Sequence, residues 1–143
     1  MATPTIDATP TNSLPVWTKV GKSYILDSVT VTFSATNVLA QNEIMDIYDI
    51  PAYTKVEWGI LNVTTAVTGV TDVNLGVAAT GVTSNSLIDA ADVSSTGLKV
   101  AAAAQTPGAA VGATAQVVTL TNIDADSMDD GVIQFIVKCT PLT

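Results

Sequence analysis

Histidine and arginine are both missing from this chain of 143 residues. Without histidine there is no Ser-His-Asp or Cys-His mechanism and no imidazole metal ligand. Without arginine, and with 13 Asp and Glu against 5 lysines for a net charge of −8, no basic face neutralises phosphates. Nucleic acid is therefore excluded as a partner. One cysteine, Cys139, leaves no internal disulfide and no thiolate zinc set. Charged residues are 13% of the chain and aromatics 5%, the former about half the usual quarter. These absences point away from an enzyme, with no cofactor expected, and towards a structural protein.

Long apolar runs are missing too. Residues 100–123 carry no charge, but Gln105, Thr106, Pro107, Gly108, Gly112 and Gln116 interrupt them. No run approaches the roughly 18 apolar residues of a membrane span. The mean hydropathy of +0.43 reflects Ala and Val in a β protein, so no membrane contact is expected. The opening MATPTIDATPTNSLPV has neither a basic leader nor a continuous apolar stretch and does not read as a signal peptide.

What is present begins with Pro4, Pro10 and Pro15, which oppose helix and central strand alike. Residues 1–16 read as an extended arm, either a disordered terminus or an arm lying on a neighbouring subunit. Leu14, Val16 and Trp17 would anchor it. Residues 17–143 form one domain.

From Ser23 the apolar pattern has a period of two. Val29, Val31 and Phe33 share one face of a strand, and Ser28, Thr30 and Thr32 the other. Further strands are predicted over 43–50, 53–63, 72–77, 115–121 and 132–139. In the strand over 53–63, Val56, Trp58 and Ile60 are read as one face, with Trp58 in the core. In the last, Ile133, Phe135, Val137 and Cys139 share a face. Residues 98–104 fit a strand or a helical turn, and 86–93 hint at a short helix because of their alanines. Seven or eight short strands with turns rich in Thr, Gly and Asn indicate an all-β fold, an antiparallel β-sandwich or jelly roll. An up-and-down barrel is the alternative.

Few constellations carry chemistry. Asp124, Asp126, Asp129 and Asp130 read as a solvated acidic turn, with a calcium site as the alternative because clustered carboxylates supply hard oxygen ligands. Their spacing departs from the EF-hand loop. Asp46 and Asp49 flank Tyr48, but so few aromatics cannot line a sugar cleft, and edge charges that discourage stray strand pairing explain them better. Asn62-Val63-Thr64 matches a glycosylation acceptor by accident, and Cys139 reads as a small buried hydrophobe. Low charge leaves broad surfaces that are cheap to desolvate, the compositional mark of interface cores. Even the outward face of the last strand, Val132, Gln134, Ile136 and Lys138, is half apolar.

The stretch AQNEIMDIYDIPAYTKVEWGILNVTTAVTGVTDVNLGV and the ending NIDADSMDDGVIQFIVKC resemble small structural proteins of tailed bacteriophages, especially those of cyanobacterial phages. The resemblance lies in "YDIPA", the Val/Trp/Ile strand, "VTTA", "VNLGV" and the "AD" loop before a final apolar strand. It covers about two-fifths of the chain. It implies a virion protein of capsid decoration, or cement, type, sitting on the capsid exterior. Such a protein is a homotrimer that binds the major capsid protein and bridges its neighbouring subunits. A head- or tail-fibre module recognising a host surface glycan is the alternative.

Overall fold

The computed structural model describes residues 17–20, 23–26, 28–79, 81–100 and 113–141. The expected arm, residues 1–16, lies outside them. Among the described residues there are ten strands and no helix. They are β1 (Trp17–Val20), β2 (Ser23–Leu26), β3 (Val29–Thr32), β4 (Ile44–Ile50) and β5 (Thr54–Thr65). They continue with β6 (Val73–Ala78), β7 (Ile88–Ala91), β8 (Gly97–Lys99), β9 (Gln116–Asn122) and β10 (Val132–Pro141).

Two antiparallel sheets stack into a β-sandwich. The six-stranded sheet runs β1-β2-β10-β5-β8, with β3 also on β10, and the four-stranded sheet runs β4-β9-β6-β7. Strand β10 is the spine of the larger sheet. On one side it pairs with β5 from Val132 to Pro141. On the other, β3 lies opposite Val132–Phe135 and β2 opposite Lys138–Cys139.

The alternation read in the sequence is what lets these strands pack. In β10, Ile133, Phe135, Val137 and Cys139 are buried, while Val132, Gln134, Ile136 and Lys138 are half-buried. In β3, Val29 and Val31 turn inwards and Thr30 and Thr32 outwards. Their apolar faces meet Met45, Ile47, Tyr48, Leu75, Val118 and Leu120 from the other sheet in one continuous core. Tyr48 joins the layers by more than packing. Its buried hydroxyl donates to the Phe135 carbonyl at 2.8 Å and accepts the Val29 N–H at 3.1 Å, so a phenol from β4 bonds to β10 and β3 together.

Three expectations need correction. The short helix hinted at over 86–93 is strand β7, paired to β6 through Val73↔Ala91 and Leu75↔Ile88. Burial of Leu87, Ile88 and Ala91 against the core overrides the helical preference of alanine. A bulge at Asp89-Ala90 absorbs the misfit: Ala90 takes φ 51° and gives its N–H to the Asn74 side chain at 2.9 Å. Second, Trp17–Val20 is a strand, paired with β2, where a strand pattern was expected only from Ser23. Third, Trp58 is not in the core. The register of β5 against β10 slips between Val56↔Cys139 and Trp58↔Lys138, leaving Glu57 as an extra residue. This bulge turns Trp58 and Ile60 outwards while Val56, Leu61 and Val63 stay buried.

Candidate interaction surfaces

The outer face of the six-stranded sheet is built by strand parity. Directly opposed residues in an antiparallel pair point to the same side. The opposed pairs Trp58↔Lys138, Ile60↔Ile136 and Asn62↔Gln134 therefore form three rungs on the side away from the core. Asn62 Nδ2 donates to Gln134 Oε1 at 3.2 Å, and Lys138 Nζ lies 3.3 Å from the Glu57 carboxylate. Strand β8 extends the face through Asn62↔Leu98, and Leu98 is 65% exposed. The result is an apolar centre of Trp58, Ile60, Ile136 and Leu98 with polar pairs above and below.

The outer face of the four-stranded sheet is different, because the chain covers it. Thr119 and Thr121, on the solvent side of β9, are 0% and 1% exposed. Gly76 is buried beside them, and a Cβ built there would sit 2.6 Å from the backbone of Ser84. The β6–β7 connection thus lies directly on the sheet at Gly76. The Thr121 hydroxyl finds no hydrogen-bond partner among the described residues.

The third surface is the end of the sandwich where the β5–β6 and β9–β10 connections meet. Asp124 accepts the Thr71 N–H at 2.9 Å and its hydroxyl at 3.0 Å. Asp130 does the same for Thr68, at 2.7 Å and 2.5 Å. These bonds stabilise the charged form, holding the Asp124 and Asp130 carboxyls below their ordinary range. Asn122, fully buried, donates to the Leu39 and Asp126 carbonyls and accepts the Asp124 N–H. Gly131 closes the loop at φ 93°, where a Cβ would meet Val67 at 2.7 Å. Of the four carboxylates in the expected acidic turn, Asp124 and Asp130 cap the backbone of the facing connection, while Asp126 and Asp129 are exposed. Among the described residues no three acids converge on one point.

The sequence-predicted residues fall unevenly on these surfaces. Leu14 and Val16 lie outside the described residues, and Trp17 opens β1 opposite Leu26. Val132, Gln134 and Ile136 are on the outer face of β10, as expected. Asp129 is exposed beside Asp130. Asp46 and Asp49 stand on β4, an edge strand of its sheet, where charge deters stray pairing. Cys139 is buried, which pushes its thiol up to about 12. Among the described residues no helix is long and apolar enough to cross a membrane.

Sequence reasoning missed Trp58, Ile60 and Leu98 as surface residues. A signal existed: the apolar positions 56, 58 and 60 change parity at Ile60-Leu61-Val63, which a regular strand with one buried face cannot satisfy. A bulge is the remedy for such a parity break.

No protein-family model matches this chain, and no curated protein matches it. Among solved structures, the chain is similar to one in "Capsid of Ralstonia phage GP4", with a TM-score of 0.65 and 18% identity. The match spans 94% of this chain and 91% of that one. At that identity the likeness establishes a shared fold, and it runs through both sheets rather than a single hairpin.

Proposed function

We propose that this chain is a virion structural protein of capsid decoration type, a homotrimer that binds the outside of the major capsid shell and bridges neighbouring subunits. The observation that carries this reading is the fold shared over 94% of the chain with a protein of a phage capsid. The orders β3-β10-β5-β8 and β4-β9-β6-β7 fit the two interleaved Greek keys of a jelly roll. A chain with no histidine or arginine and only 13% charged residues suits a role made of contacts rather than catalysis. The mechanism is mechanical: many weak contacts, repeated over a shell, act together once each subunit is held in place. The arm at residues 1–16 supplies one of those contacts and the outer face of the larger sheet another.

Two measurements test this. Mass spectrometry and electron microscopy of purified virions should find the protein on the capsid surface. Particles lacking it should lose DNA at lower temperature than the parent particles. Unchanged heat resistance would sink the stabilising role, and location on a fibre with binding to host glycans would favour the receptor-binding alternative. Removal of residues 1–16 should leave the domain folded and weaken its attachment to shells.

A further inference from the structure

Strand β3 has a free edge. Among the described residues it pairs with β10 alone, whereas β2, which precedes it on the same side of β10, carries β1 on its far edge. The hydrogen bonds show which groups of β3 stay open. Phe33 gives its N–H to the Gly131 carbonyl at 2.9 Å, one step beyond the opposed pair Thr32↔Val132. Bonded and unbonded pairs alternate along an antiparallel ladder, so Val31 and Val29 also turn their backbone groups towards β10. The Val29 N–H meets the inserted Tyr48 hydroxyl there at 3.1 Å. Thr30 and Thr32 therefore direct their groups the other way. The Asn37 side chain donates to the Thr32 carbonyl at 2.7 Å. The Thr30 N–H and carbonyl and the Thr32 N–H face an edge that no described strand pairs. Such an edge is a template for another strand.

Register identifies the occupant. β1 runs antiparallel to β2 with Trp17 opposite Leu26, so the chain before Trp17 is headed along β3. Continued at that register, Leu14 lies opposite Val29, Ser13 opposite Thr30, Asn12 opposite Val31 and Thr11 opposite Thr32. These four residues are the stretch between Pro10 and Pro15, and β3 is four residues long. Pro10 falls opposite Phe33, whose backbone turns to β10, so no ladder bond is lost there. Pro15 falls opposite Ser28, in the break between β2 and β3, where the chain gains one residue on β10. A slip by one residue would turn Ser13 to the core side with Val31 and Leu14 outwards with Thr30, so parity selects the continued register. We infer that residues 11–14 of the chain's own arm form a further strand on the edge of β3. Covalent continuity favours this arm over that of a second copy, because a tethered segment has a high local concentration. The pairing stands independently of the capsid reading. For the shell contact proposed above, it leaves residues 1–10 as the reaching part, departing beside Phe33 and Gly131.

Cross-linking and amide exchange of the full chain test this. Ser13→Cys with Thr30→Cys places two thiols at opposed positions on the solvent side of β3, while the native Cys139 is buried. Mild oxidation should close a disulfide within one chain, located by peptide mass spectrometry with no larger species on a non-reducing gel. A disulfide between chains overturns the inference in favour of an exchanged arm, and no disulfide overturns the pairing. By NMR, the Thr30 and Thr32 amides of the unsubstituted protein should exchange at least about tenfold more slowly than in a chain lacking residues 1–14. Equal rates overturn the pairing as well. Ser13→Pro removes a bonded N–H and should release the Thr30 amide. Asn12→Pro, whose N–H points off the sheet, should leave it protected. Release by both variants, or by neither, overturns the register. None of these readouts involves a virion, so failure here is distinct from failure of the capsid reading.

Discussion

The two outer faces of the sandwich contrast sharply. On the four-stranded sheet, Thr119 and Thr121 would be solvent-facing in an open layer, yet they are buried, and Ser84 sits on Gly76. On the six-stranded sheet, Trp58, Ile60, Val132 and Ile136 are half-buried, and Leu98 is exposed. The covered face carries small and hydroxyl side chains, because backbone must approach closely there. The open face carries large apolar ones, whose surface gains most when another molecule covers it. Burial within the chain and burial between chains leave different residues behind.

Substitution at Gly76 should break the covered face most severely. Gly76→Val drives a branched side chain into the Ser84 backbone and should cost about 3 kcal/mol, read as a lower midpoint in urea. A loss under about 0.5 kcal/mol would mean the connection lifts away freely.

Thr121→Val sharpens the same point with the opposite sign. It replaces a buried hydroxyl that lacks a partner among the described residues by a group of the same shape, and should stabilise by about 1 kcal/mol. Destabilisation would mean that the hydroxyl bonds to something not identified.

On the open face the isolated protein should be more tolerant. Ile60→Thr keeps β-branching and removes half-buried apolar surface, so the loss should be below about 1 kcal/mol. A larger loss by calorimetry would show that this face already belongs to the folding core.

The smallest effect is a pH dependence at the acidic end. The Asp124 and Asp130 carboxyls lie below their ordinary value of 3.8, Asp124 through the Thr71 and Asp126 N–H groups and Asp130 through the Thr68 hydroxyl and N–H. The unfolded chain therefore takes up their protons first as pH falls. Their stabilisation is complete above the ordinary carboxylate range and is lost as pH drops through the lowered folded values. Asp130→Asn should flatten the acid limb of a stability-versus-pH curve by lowering stability slightly at neutral pH and leaving it nearly unchanged below the lowered folded value. An unaltered acid limb would show that these bonds do not persist in solution.

Particular elements show how far sequence carries. β10 was legible because Ile133, Phe135, Val137 and Cys139 alternate with four less apolar residues, and a strand with one buried face admits only that register. β3 was legible for the same reason. β7 was not: Leu87-Ile88-Asp89-Ala90-Ala91 has no clean period of two, and only pairing with β6 makes it a strand. The acidic loop was legible as a cluster but not as a set of caps, because Thr68 and Thr71 are more than fifty residues away from Asp130 and Asp124.

The sequence by itself determined the class of protein. Its alternating apolar residues require sheets with one buried side, and its missing histidine and arginine leave it no imidazole or guanidinium group. Only the tertiary structure decided which faces stay open. A single extra residue at Glu57 turns Trp58 from the core to the surface, and one connection laid across Gly76 closes the opposite sheet. Neither follows from local pattern, because both depend on register and on segments that meet only after the chain has folded.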